Sequence, residues 1–106
     1  MNLVEILVCL PINDSNYDAY LKLEKCILEL AGGFTAMEAK GGWINPNTKL
    51  TETEKVFRIE FTTTPDIAGV IKAIFIDVLT RETKEESLYW RVTKVVGDPI
   101  INLRKQ

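Results

Sequence analysis

A chain of 106 residues holds one core and has no room for two. Apolar residues make up 46% and charged residues 26%, as in soluble globular proteins, which excludes extended disorder. Thirteen basic against fifteen acidic side chains leave a net charge of −2, which argues against a surface built to neutralise phosphates. The absence of histidine removes Ser-His-Asp and Cys-His catalysis, histidine metal sites and histidine pH switching together.

Residues 3–10 are rich in Val, Ile and Leu and predict a buried strand, ended by Pro11 because proline cannot donate to a sheet ladder. Glu5 interrupts this run, no basic segment precedes it, and it is too short to span a bilayer, so the cytoplasm is the expected compartment. Asp14 or Ser15 then caps a helix, with Ser15 and Asp18 spaced as a capping box. Tyr20, Leu23, Ile27 and Leu30 recur at helical steps until Gly32-Gly33 stops the helix. Cys9 and Cys26 have no C-x-x-C spacing and no partner ligands for zinc, and read as small buried hydrophobes.

Residues 34–40 predict a second strand, bent or bulged at Gly41-Gly42 before Trp43. Asn45-Pro46-Asn47 is a turn, and residues 51–54 either extend the hairpin or stay loose. Residues 56–63 alternate strictly, with Phe57, Ile59 and Phe61 on one side and Val56, Arg58 and Glu60 on the other. Thr64-Pro65-Asp66 starts a second helix with a hydroxyl cap, proline in the first turn and an acid at the positive dipole end. Residues 81–86 form a solvated charged end, 88–96 the last strand, and 100–103 a tail with apolar content.

The order strand, helix, strand, strand, helix, strand predicts a single α+β domain over residues 1–106. The expected fold is ferredoxin-like βαββαβ, with an antiparallel sheet ordered 4-1-3-2 and both helices on one face. Val4, Ile6, Val8 and Leu10, the Phe57 set, Trp90 and Val92 should then face the helices. Leu3, Glu5, Leu7, Cys9, Met37, Arg58, Glu60, Tyr89 and Arg91 fall on the bare face. Leu3, Leu7, Met37, Val56 and Tyr89 make that face too apolar for a fully solvated one. Glu5, Arg58, Glu60 and Arg91 are placed to form a charge lattice on adjacent strands. The combination predicts an interface with a further copy of the chain, in a dimer or trimer, with the 100–103 tail as another cover.

RNA stacking on such a sheet needs exposed aromatics, but Phe57 and Phe61 share the core-facing parity, so nucleic-acid binding is disfavoured. Glu5 and Glu60 could couple as carboxylates, but Arg58 and Arg91 nearby neutralise them. Gly41-Gly42, flanked by Lys40 and Trp43, is the most suggestive local feature. Consecutive glycines present backbone N–H groups to an anion, lysine adds charge, and Trp43 can stack on a flat ligand. The bland reading is a glycine bulge with Trp43 covering a core edge.

Gly32-Gly33-Phe34-Thr35, then Gly41-Gly42-Trp43, then a polar hairpin with Glu54, resembles a family of small uncharacterised bacterial proteins with a Gly-Gly-Phe-Thr and Gly-x-Trp pattern. The architecture also resembles PII-like signalling proteins. That resemblance implies a partner-binding loop between strands two and three and nucleotide sites in subunit clefts, and it transfers no individual residue.

The leading expectation is a small non-catalytic ligand-binding or regulatory protein acting as a homo-oligomer, without cofactor or metal. A small anionic or nucleotide ligand, or a partner, would be met by the 40–54 loop and the subunit cleft through Lys40, Gly41, Gly42, Trp43 and Lys49. One alternative is a phage or mobile-element protein that inhibits a host protein or sequesters a nucleotide signal. Another is a dimeric α+β barrel enzyme with a pocket between sheet and helices.

Overall fold

The computed structural model describes residues 2–97, 99–101, 103 and 104. The chain runs β1 (Val4–Pro11), a 3-10 turn (Asp14–Asn16), α1 (Tyr17–Ala31), β2 (Thr35–Ile44), β3 (Thr51–Thr63), α2 (Pro65–Glu82) and β4 (Tyr89–Lys94). The four strands form one antiparallel sheet ordered β2-β3-β1-β4, the expected ferredoxin-like arrangement.

Local chemistry explains most element ends. Gly32 takes the left-handed conformation, φ 91°, and its N–H donates to the carbonyls of Ile27 and Leu28, closing α1. The Thr64 hydroxyl accepts from the Ile67 N–H at 3.4 Å and opens α2, with Pro65 in its first turn. The start of α1 departs from expectation. The Asn13 carboxamide accepts from the Ser15 N–H at 3.0 Å and from the Ser15 hydroxyl at 2.8 Å, capping the 3-10 turn. Asn16 precedes α1 without a side-chain cap, so the Ser15–Asp18 capping box does not form.

One sheet face packs on the helices. Ile6, Val8 and Leu10 of β1, Ile59 of β3, Leu23 and Ile27 of α1, and Ile71 and Phe75 of α2 are fully or almost fully buried there. Trp90 joins them edge-on to Phe61 and Phe75, with centroids 6.1 and 5.6 Å away. The layer where an α+β barrel enzyme would keep its pocket is filled by these side chains. Val92, expected to face inward, is instead more than half exposed. It sits on the edge strand against Ala68 and Gly69 of α2, which are too small to roof it.

Candidate functional site

Two regions remain outside this packing: the sheet face away from the helices, and the far end of the β2–β3 hairpin. On the sheet face, Met37 and Tyr89 are each 52% exposed. Leu7 is not: it is only 6% exposed in the isolated chain, flanked across the sheet by Glu60 on β3 and Arg91 on β4. The expected charge lattice contracts to one pair within β3. The Arg58 guanidinium donates to a single Glu60 oxygen, at 2.9 Å from Nε and 2.8 Å from Nη2. Half exposed, this pair contributes up to about 1 kcal/mol. Glu5 faces Thr62 and Thr93 and, like Arg91, joins no ion pair among the described residues. Glu5 and Glu60 line a shallow groove of about 290 Å³ with Thr35 and Thr62.

β2 runs without interruption through the glycine pair. Gly41 lies opposite Glu54 and Gly42 opposite Thr53 in regular register, so there is no bulge. Neither glycine has a positive φ, and a Cβ added at either would meet its neighbours at 3.6–4.0 Å, which is ordinary contact. The left-handed turn that would aim successive N–H groups at an anion is therefore not formed here. The turn itself is built by Asn45, whose side-chain oxygen accepts from the N–H groups of Asn47 at 2.8 Å and Thr48 at 3.3 Å. Lys49 adopts φ 62° in this turn and donates its N–H to the Asn45 carbonyl.

Strand alternation divides the five expected ligand residues. Gly41 and Trp43 share the side of Met37, Arg58 and Glu60, and stand opposite Glu54 and Glu52. Lys40 and Gly42 share the other side, Lys49 is in the turn, and Lys40 stands directly across from Lys55. Lys40 and Lys55 have no ion pair among the described residues, and they border an open groove of about 560 Å³ with Glu38 and Thr53. Lys55 was not among the expected residues. It emerges only once the hairpin register is known.

A third polar region lies where α1 begins. Asn16 is buried and donates from Nδ2 to the Tyr20 hydroxyl at 3.4 Å and to Glu85 Oε1 at 3.3 Å, while Tyr20 donates to the Pro11 carbonyl. Burial pushes the Tyr20 hydroxyl above its ordinary pKa, with Glu85 and Glu54 adding to the rise and the Asn16 hydrogen bond opposing it. These groups brace the end of β1, the start of α1 and the segment after α2 against one another. Among the described residues no group of three or more Cys, Asp and Glu side chains is placed to hold a metal ion. No helix is long and apolar enough to cross a membrane.

No family model and no curated protein matches this chain. Solved structures match in fold. CutA from Xylella fastidiosa superposes with a TM-score of 0.70 at 13% identity, covering 93% of this chain and 89% of that one. CutA1, a divalent ion tolerance protein from Ehrlichia chaffeensis, gives 0.67 at 10% identity, covering 92% and 84%. GlnK from B. subtilis, solved in complex with ATP, gives 0.61 at 11% identity, covering 89% and 82%. A Bacillus cereus protein related to NIF3 gives 0.61 at 12% identity, and there this chain spans only 26% of the larger protein. At such identities the likeness is one of fold, shared with CutA and with the PII-like GlnK.

Proposed function

We propose that this chain is a small ligand-binding or regulatory protein that acts as a homo-oligomer, with the bare sheet face turned toward a neighbouring copy and the β2–β3 hairpin reaching into the cleft between copies. The observation that carries this reading is the hairpin. Residues 41–44 and 51–54 pair only with each other among the described residues, because β1 ends opposite Val56. A two-stranded ribbon is marginal on its own in water. This one also exposes Trp43 at 44% and Leu50 at 65%. Packing against a neighbour removes both costs.

The ligand expected at the ribbon is a small anion or nucleotide. Lys40 directly across from Lys55 is a like-charge cross-strand pair, which costs energy until an anion sits between the two ammonium groups. Lys49 adds a third charge at the turn. Trp43, on the other side of the ribbon, then serves the neighbouring copy rather than the same anion. The shared architecture of GlnK, solved with ATP, supports a nucleotide as the first probe.

Native mass spectrometry at tens of micromolar should give a multiple of the 12.0 kDa chain mass. A single-chain species alone would overturn the oligomer. Titration with ATP should weaken at least tenfold in Lys40→Ala/Lys55→Ala, and unchanged affinity would remove the ribbon as the site.

A further inference from the structure

The outer edge of β4 and the groove beside it belong neither to the bare sheet face nor to the ribbon. In an antiparallel ladder the hydrogen-bonded positions alternate. The Val95 N–H donates to the Leu3 carbonyl at 3.1 Å, so Tyr89, Arg91 and Thr93 turn their backbone groups toward β1. Trp90, Val92 and Lys94 turn theirs away from the sheet. Among the described residues nothing bonds to those outward groups. A row of unpaired donors and acceptors is a template for one more strand.

The groove lies between this edge and α2. Trp90 and Val92 on the strand, with Pro65, Ala68 and Gly69 on the helix, line a cavity of about 180 Å³. That is room for one branched aliphatic or phenyl side chain. Val92 is 55% exposed beside it. A Cβ added at Gly69 would meet nothing within 4 Å, so the packing of this chain does not require glycine there. Glycine inside a helix lowers stability relative to alanine, and what it leaves here is a deeper groove.

Charge and backbone chemistry define the occupant. Lys72 borders the cavity, and Lys94 continues the row of Trp90 and Val92 along the strand. Neither lysine joins an ion pair among the described residues, and no carboxylate lines the cavity. The other edge of the sheet, β2, borders a hollow lined by the charged Glu38 and Lys40 instead. Leu21 and Leu28 of α1 and Ile76 of α2 are also exposed, but a helix bonds its own backbone and cannot set the register of an extended chain.

We infer that this groove takes an extended, acidic segment of a partner protein, added as a fifth strand on β4. One apolar side chain of the segment fills the cavity, and a carboxylate two positions away meets Lys94. The spacing matches, because side chains two positions apart on either strand point the same way at about 6.8 Å. Main-chain hydrogen bonds supply the affinity of such an added strand, and the cavity and lysines choose its side chains. The inference goes beyond the homo-oligomer proposed above, whose contacts use the bare face and the ribbon.

A yeast-displayed library of random octapeptides, selected on the immobilised protein, tests it. The retained sequences should carry a large apolar residue with Asp or Glu two positions away. A synthetic copy of the most enriched one, blocked at both ends, should bind Gly69→Leu at least tenfold more weakly in calorimetry, because leucine fills the cavity. Lys72→Glu/Lys94→Glu should weaken the same peptide at least fivefold, and replacing its acid by lysine should restore the loss. That second arm decides the matter if Gly69→Leu fails to fold. No enrichment, enrichment without the pattern, or equal affinity for both variants overturns the inference. A Gly69→Leu chain that self-associates more weakly than the native chain in sedimentation equilibrium assigns the groove to a second copy, and the partner segment falls.

Discussion

At the scale of single residues, the polar brace around Tyr20 makes the alkaline stability of the protein readable. Tyr20 and Cys26 both have their pKa raised, in each case chiefly by burial, so the folded chain holds protons that the unfolded chain releases. A raised folded pKa gives stability that is complete below the unfolded value and is lost as pH rises through the folded one. Unfolding free energy should therefore be flat through neutral pH and fall above about pH 9–10, where unfolded Cys and Tyr titrate. Tyr20→Phe removes the hydrogen bond to the Pro11 carbonyl and leaves Asn16 with one partner fewer. It should cost about 1 kcal/mol at pH 7 and flatten the alkaline slope, measured by urea unfolding across a pH series. An unchanged slope would mean that Tyr20 ionises as freely in the folded chain as in the unfolded one. Leu7 shows the opposite kind of residue effect. Its parity places it on the bare face, yet the rows of side chains on β3 and β4 already bury it, so its contribution is made within one chain.

At the scale of elements, the hairpin shows how pairing overrides a local break signal. Consecutive glycines in a strand pattern read as a bend, because nothing local holds them extended. Here Glu54 and Thr53 across the ladder hold Gly41 and Gly42 in regular register with room for a side chain. Gly41→Ala should accordingly raise stability by about 0.4–1 kcal/mol in thermal or urea unfolding, since alanine loses less backbone freedom on folding. A loss of stability would show that the ribbon is not extended at this position. The helices follow their local signals more closely. Thr64, Pro65 and Gly32 act where their chemistry places them, whereas before α1 the cap belongs to the 3-10 turn, where the Asn13 carboxamide accepts from the Ser15 N–H, and α1 itself starts without a side-chain cap.

At the scale of the whole molecule, a ribbon extending beyond its sheet and an apolar tail at the other end are costs that one chain bears alone. The proposed assembly would relieve them in the folded state only, so unfolding should then depend on concentration by mass action. Raising the protein concentration tenfold should raise the apparent Tm by a few degrees in differential scanning calorimetry. A Tm independent of concentration, with a monomer in sedimentation, would leave the ribbon and tail uncovered and end the reading of the cleft.

Much of the fold was legible along the chain because its signals are local. Alternation in 56–63, helical spacing from Tyr20 to Ile27, and the Thr64 and Gly32 caps each depend on neighbours in sequence. Together they specify the elements, and the handedness of crossovers arranges them in the order β2-β3-β1-β4. The candidate site was legible only in composition, as two lysines, two glycines and a tryptophan in one loop. The strand period puts Lys40 and Trp43 on opposite sides, and hairpin register brings Lys55 across from Lys40. Register, the burial of Leu7 and the exposure of Val92 beside Gly69 are set by residues far apart in sequence. Those were decided by the tertiary structure, because each depends on which strand or helix lies beside the residue and not on the residue's own pattern.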